Sequence, residues 1–192
     1  MSESVLTSAV ISSRETQAFV RAEPVSRASF RNANLSGLRL EDTEWTECDF
    51  SEADFVDFRC RSCAFDRSRW VGAALDEAMM MDTTITEGVF DDILWRNGML
   101  TASSCDGASF RNADLSGTEM IGCTFIGANL EGAQLRGVNA KGCVFRKAVL
   151  TGVDFTGSNL IGADFRGATL RDVVWTGAQI SEALFDAGCS PV

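Results

Sequence analysis

Taking every fifth residue from Phe30 to Phe185 gives 32 side chains, and all of them are apolar. Phe30, Leu35, Leu40, Trp45, Phe50 and Phe55 open the series, and Leu160, Phe165, Leu170, Trp175, Ile180 and Phe185 close it. Two residues before each centre runs a second column, in which 29 of 32 members are Ala, Cys, Ser, Thr, Gly or Val; the exceptions are Leu38, Phe58 and Ile93. Charge tests this register independently. Of 27 acidic residues, 24 follow Ala28, and each lies immediately before a centre or one or two residues after it. Two inward positions in a period of five match neither the 3.6-residue period of a helix nor the simple alternation of a flat strand.

A chain that turns a corner every five residues satisfies the pattern. Four sides close a square coil of 20 residues, with both columns pointing inward. Successive coils hydrogen-bond at about 4.8 Å, so eight coils make a rod roughly 38 Å long. Residues 20 apart become vertical neighbours, which stacks Phe125, Phe145, Phe165 and Phe185 on one side and Ala108, Ala128, Ala148 and Ala168 on another. Large centres beside small companions are what close packing requires.

The segments Ala33-Asn34-Leu35-Ser36-Gly37, Ala113-Asp114-Leu115-Ser116-Gly117, Ala128-Asn129-Leu130-Glu131-Gly132 and Ala163-Asp164-Phe165-Arg166-Gly167 resemble the A(D/N)LXX unit of pentapeptide-repeat proteins. The resemblance spans about Ala28 to Ala187. It implies an all-β fold, a right-handed quadrilateral β-helix of about eight 20-residue coils, preceded by a cap segment (1–27) and followed by a short tail (188–192). Between Gly107 and Gly177, 12 of 15 residues at the second position after a centre are Gly, whereas between Asn32 and Ala102 only Gly37 and Gly72 are. Glycine accepts positive φ at a corner, so tight uniform turns are expected in the C-terminal half and mixed, looser turns in the N-terminal half. In the cap, Ser12 to Glu15 resembles a capping box, and a helix through Phe19 and Val20 is slightly preferred. The alternative is that Val5, Val10, Val20 and Val25 continue the coil register, although Pro24 opposes a regular side there.

Composition narrows the chemistry. The chain has no His and only two Lys, Lys141 and Lys147, which removes the commonest general base and every His-containing metal site. Cys60 and Cys63 show a C-x-x-C spacing, but Cys60 and Cys105 occupy centres while Cys48, Cys63, Cys123 and Cys143 occupy the small column, so they read as packing residues. Gly127 to Gly142 spells G-x-x-x-x-G, yet Cys143 stands where a phosphate loop needs Lys, and the glycines belong to the repeat. Neighbouring carboxylates such as Asp91 and Asp92 fall on a convex wall. We therefore expect no catalysis, no metal and no cofactor. A net charge of −10 argues against direct binding of nucleic acid or of anionic membranes. The N-terminal residues lack a positively charged signal region, and no apolar run approaches about 20 residues, so a cytoplasmic location is expected.

The charge is unevenly spread: residues 1–40 carry +2, residues 41–92 carry −11 and residues 93–192 carry −1. The acidic belt consists of Glu41, Asp42, Glu44, Glu47, Asp49, Glu52, Asp54, Asp57, Asp66, Asp76, Glu77, Asp82, Glu87, Asp91 and Asp92. At the strand spacing this is about one net negative charge per 1.1 Å of axis, against about one per 1.7 Å for duplex DNA. Like charges 20 apart, such as Asp57 under Glu77, are expected to repel, with Arg67 between Glu47 and Glu87 relieving one side. Some bacterial pentapeptide-repeat proteins bind DNA gyrase or topoisomerase IV as DNA mimics and protect them from quinolones or peptide poisons. The resemblance thus implies a type II topoisomerase as partner, with the belt as contact set. The competing reading is a structural scaffold for another basic protein. Topoisomerase-binding members commonly dimerise through a C-terminal helix. Here the chain after Phe185 is too short for one, which leaves the open last coil, with Phe165 and Phe185 near its end, as the candidate homodimer surface. The outward Met79 and Met81 form a small apolar patch.

Overall fold

The computed structural model describes residues 19–189 together with Pro191. The expected coil is present throughout. Backbone bonds join residues 20 apart in parallel register: Asp49 N–H donates to Ala28 O at 2.9 Å, Phe50 N–H to Arg69 O at 2.7 Å, and the pattern repeats to Leu184 N–H and Ala163 O at 2.8 Å. Four sides can be named by their centres. Side one carries Phe30, Phe50, Trp70 and Phe90; side two Leu35, Phe55, Leu75 and Trp95; side three Leu40, Cys60, Met80 and Leu100; side four Trp45, Phe65, Ile85 and Cys105.

Most inter-coil pairs are single bridges, and regular strands form only toward the N-terminal half: β1 (Val25–Ser26), β2 (Arg39–Glu41), β3 (Trp45–Thr46), β4 (Arg59–Arg61), β5 (Met79–Met81) and β6 (Met99–Thr101). Strands β2, β4, β5 and β6 make a four-stranded parallel sheet on side three, while β1 pairs with β3 on side four. Among the described residues there is no helix.

Every centre from Phe30 to Phe165 is buried, and the companion column packs beside it. Phe125, Phe145, Phe165 and Phe185 stack face to face with ring centroids 5.1, 5.2 and 5.1 Å apart. Phe30, Phe50, Trp70, Phe90 and Phe110 form a second ladder at 4.4 to 5.4 Å. Both ladders follow from the 20-residue offset, since the coil spacing sets one ring above another.

The corners differ between the halves as expected, though not in backbone conformation. The second corner residue has positive φ in every repeat from Arg27 to Glu182, ranging from 47° at Asp42 to 74° at Gly167. Glu52, Glu77 and Glu87 hold this conformation without being glycine, at about 1 kcal/mol each. What varies is the turn-closing bond from the residue three after a centre back to that centre. It is missing after Leu40, Trp45, Cys60, Met80, Phe90, Trp95 and Leu100, but in the later coils only after Leu135 and Leu170. Buried hydroxyls from the next coil take over several of these groups. Ser68 Oγ accepts from Cys48 N–H at 3.0 Å and donates to Trp45 O at 3.2 Å. Ser158 likewise bridges Val138 N–H and Leu135 O, and Thr118 donates to Trp95 O at 2.7 Å. A polar side chain in the small column therefore opens the corner one coil below and satisfies the groups it separates.

At the N-terminal end the coil register extends further than the cap boundary at residue 27 implies. Val20 bridges Leu40, Val25 pairs with Trp45, and the Arg61 guanidinium sits 4.5 Å over the Phe19 ring. Neither Phe19 nor Val20 is helical, and the Val20 backbone N–H and carbonyl bond to Arg39 and Glu41 of the coil above; the rest of the expected helix, residues 12–18, lies outside the described residues. At the other end Leu170, Trp175, Ile180 and Phe185 are only half-buried, and no further coil covers them among the described residues. Phe165, expected near that open end, is 1% exposed because it lies one coil further in, beneath Phe185 and Trp175. The Asp186 carboxylate replaces the missing neighbour in part, accepting from Gly167 N–H at 2.8 Å.

Gly98 shows how little room the interior has. A Cβ there falls 2.3 Å from Trp95 Nε1 and 2.6 Å from Ala78 O, whereas at the corner residue Gly122 it meets nothing within 4 Å. Gly98→Ala is expected to cost about 3 kcal/mol through overpacking. Gly122→Ala should cost about 1 kcal/mol through its positive φ alone. Urea unfolding midpoints of the two variants check this order.

Candidate functional site

The belt residues stand on the outer wall, at the positions before and after the centres. Their immediate partners sort them into groups. Several carboxylates cap backbone. Asp49 and Asp54 each accept from the N–H two residues ahead, Ser51 and Val56, both at 3.0 Å. Asp66, Asp76 and Asp91 accept from an N–H one coil above, those of Thr86, Arg96 and Arg111, at 2.8 to 3.0 Å. These bonds occupy corner N–H groups that the coil ladder leaves open.

A second group is paired with arginine. Glu47 lies between Arg27 (2.6 Å) and Arg67 (3.0 Å), one coil below and one above. Glu41 lies between Arg21 and Arg61, and Arg21 also reaches Asp42 at 2.6 Å. Arg31 holds Asp49 and Glu52, Arg96 holds Asp76, and Arg59 holds Asp57 at 2.9 Å. The repulsion expected of Asp57 under Glu77 is thus relieved within the Asp57 coil, and Glu47 is neutralised from both sides rather than one. The signal was present in the sequence: Arg27, Glu47 and Arg67, Arg21, Glu41 and Arg61, and Asp76 and Arg96 are all complementary charges 20 apart. Asp92 accepts from Asn112 at 3.2 Å.

Four members remain. Among the described residues the carboxylates of Glu44, Glu77, Asp82 and Glu87 make no hydrogen bond or ion pair, although the backbone of each is bonded to the adjacent coil. Glu77 stands at the corner between sides two and three, Asp82 between three and four, Glu44 on side four and Glu87 at the far corner of side four. These four carboxylates are spread along sides three and four, from the corner at Glu77 to the diagonally opposite corner at Glu87. Asp42, Glu44 and Asp82, with Ser62, Cys63 and Thr84, line a shallow open groove of about 380 Å³ there.

Burial pushes the Cys60 and Cys105 thiols well up and Cys123 to about 12, the reverse of what a nucleophilic cysteine needs. Among the described residues no group of three or more His, Cys, Asp or Glu side chains is placed to hold a metal ion, and no helix is long and apolar enough to cross a membrane.

The ion pairs set a pH dependence. The Arg166 guanidinium holds the Asp164 carboxyl below its ordinary range, and Arg96 does the same for Asp76. Since the folded pKa lies below the unfolded one, each pair stabilises the fold above about pH 4, and that stability is lost as pH falls through the folded value. The urea midpoint should be flat from neutral pH to about 5 and fall steeply below about 4. An Asp76→Asn, Asp164→Asn double variant should start lower at neutral pH and fall less steeply in acid.

The family described as pentapeptide repeats matches this chain in eight copies, over residues 26–57, 103–139 and 133–172. No curated protein matches it. Among solved structures, HetL, a pentapeptide repeat protein involved in heterocyst differentiation regulation in the cyanobacterium Nostoc, is 18% identical over 91% of this chain and 92% of its own, with a TM-score of 0.52. QnrB1, a plasmid-mediated fluoroquinolone resistance protein, is 16% identical over 88% of this chain and 94% of its own, with a TM-score of 0.55. At these identities the likeness is one of fold. With its repeats matched over more than half its length and its five-residue register closed into square coils, this chain belongs to the pentapeptide-repeat family.

Proposed function

We propose that the protein is a non-enzymatic acidic rod that binds a type II topoisomerase, DNA gyrase or topoisomerase IV, by standing in for duplex DNA, and so modulates the enzyme or protects it from inhibitors. The observation that carries this reading is the set of four unengaged carboxylates along sides three and four, Glu44, Glu77, Asp82 and Glu87, in a belt of net charge −11. A basic DNA-binding surface gains these charges without breaking any bond inside the rod. QnrB1, named for fluoroquinolone resistance, has the same fold and supports the choice of partner. The reading places the protein in the cytoplasm with that enzyme. It also includes a homodimer through the C-terminal coil, where Leu170, Trp175, Ile180 and Phe185 lack a covering layer.

A scaffold for a different basic partner is the second reading. Eleven of the fifteen belt carboxylates are engaged within the rod, so much of the acidity serves the fold, and HetL shows the same coil in a protein of differentiation regulation. Gyrase supercoiling, measured over a salt series with and without a quinolone, separates the two. The topoisomerase reading expects inhibition or protection at micromolar protein that weakens as salt rises. Glu44→Gln, Glu77→Gln, Asp82→Asn and Glu87→Gln together should weaken it about tenfold, the equivalent of about 1.4 kcal/mol. The same variant should keep or raise the unfolding midpoint. No effect of the unaltered protein assigns it to the scaffold reading.

A further inference from the structure

We infer that side three carries a second docking surface, a methionine-faced sheet that receives a basic amphipathic helix. In β5 and β6 the middle residues, Met80 and Leu100, point into the core, while Met79, Met81 and Met99 point outward and are only partly covered. The register sets Met79 directly beside Met99, and Met81 beside Thr101. One coil further on, Ile121 is 42% exposed. These apolar groups lie as a block on side three, which among the described residues is the side where the coils make a regular sheet of four strands.

The charges around the block specify its occupant. Glu77 lies two residues before Met79 and Asp82 one residue after Met81, so a carboxylate borders each long edge, and neither has a partner among the described residues. Beside the methionines the cations are matched, Arg59 by Asp57, Arg61 by Glu41 and Arg96 by Asp76; Lys141, one coil above Ile121, has no ion pair among the described residues and bounds the block at that end. A partner with apolar residues along its centre and Lys or Arg on its flanks therefore meets both apolar surface and unpaired negative charge. The block is the face of the sheet, not its edge, and its backbone groups are bonded to the coils above and below, which leaves nothing for an added strand to pair with. A helix offers side chains alone. Its pitch of about 5.4 Å is close to the coil repeat of about 4.8 Å, so apolar residues on successive turns meet Met79 and Met99, with Ile121 one coil further on in the adjoining column of Met81 and Thr101 and Glu119 next above Met99. Methionine suits such a face because its unbranched side chain adapts to different partners. The area is well below that of a standard stable interface, so the binding is weak and reversible.

The methionines supply the readout. With the methionine methyl groups labelled with carbon-13, the protein is titrated with a synthetic helical peptide of Leu and Lys of about 15 residues. The Met79, Met81 and Met99 signals are expected to shift and those of buried Met80 and Met120 to stay. A Leu–Glu peptide should shift none, and a Gln–Lys peptide should bind at least tenfold more weakly. Met79→Lys with Met99→Lys, or Glu77→Gln with Asp82→Asn, should weaken Leu–Lys binding about tenfold, while Glu44→Gln with Glu87→Gln should not. The inference is overturned if the outer methionine signals stay still while the peptide binds, if the Gln–Lys peptide binds equally well, or if the two variants bind like the original. It is also overturned if those signals move with protein concentration alone, which makes the face a contact between copies. No topoisomerase enters the measurement, so its outcome is independent of the supercoiling result.

Discussion

The parallel backbone hydrogen bonds between residues 20 apart govern this molecule. They fix the distance between coils, and with it the vertical neighbour of every side chain. An aromatic centre finds another ring at stacking distance, an arginine finds the glutamate one coil below, and a hydroxyl finds the corner it can bridge. Each is a local interaction of modest size, but the ladder repeats it along the whole rod, so packing and electrostatics are both decided by which residues share a column.

The outer wall shows how a repeat can carry charge without coming apart. A belt with eleven net negative charges over 52 residues is self-repelling as a set of points. In the structure most of those points cap backbone groups or are halves of ion pairs, and four carboxylates along sides three and four are left without side-chain partners. Glu47, held from above and below, costs the rod little; Glu44 and Glu87, on the same side of the coil, stay available. Surface function and internal stability are thereby assigned to different members of one acidic cluster.

The architecture was legible in the sequence because its signal is long: 32 centres in one register leave no competing fold. Even residues 58–102, which lie outside the family match, keep the coil, since Phe58 fits the small column without opening its corner, and Cys63 and Ser68 change how corners close but not where they fall. The candidate site was legible only as a region. Composition marks residues 41–92 as acidic, but whether Asp57 faces Glu77 or turns to Arg59 depends on side-chain geometry within one coil. Met99 completes the apolar block with Met79 and Met81 and was readable from the same 20-residue offset. The bridging roles of Ser68, Thr118 and Ser158 were not, because a hydroxyl in the small column satisfies the packing rule equally well when it does nothing else. At the N-terminal end the preference for a helix over Phe19 and Val20 rested on a four-residue capping signal, which is weak beside the template of an adjacent coil.

The square cross-section also imposes an arithmetic on how such a protein can change. Adding or removing 20 residues lengthens or shortens the rod and leaves every column intact. Adding or removing five preserves the interior equally well but rotates all that follows by a quarter turn, so that Glu77, Asp82 and Glu87 each move to the next side relative to Glu44. Evolution of the surface can therefore proceed by phase shifts as well as by substitutions: one inserted pentapeptide re-pairs whole walls of the rod while its core continues to pack.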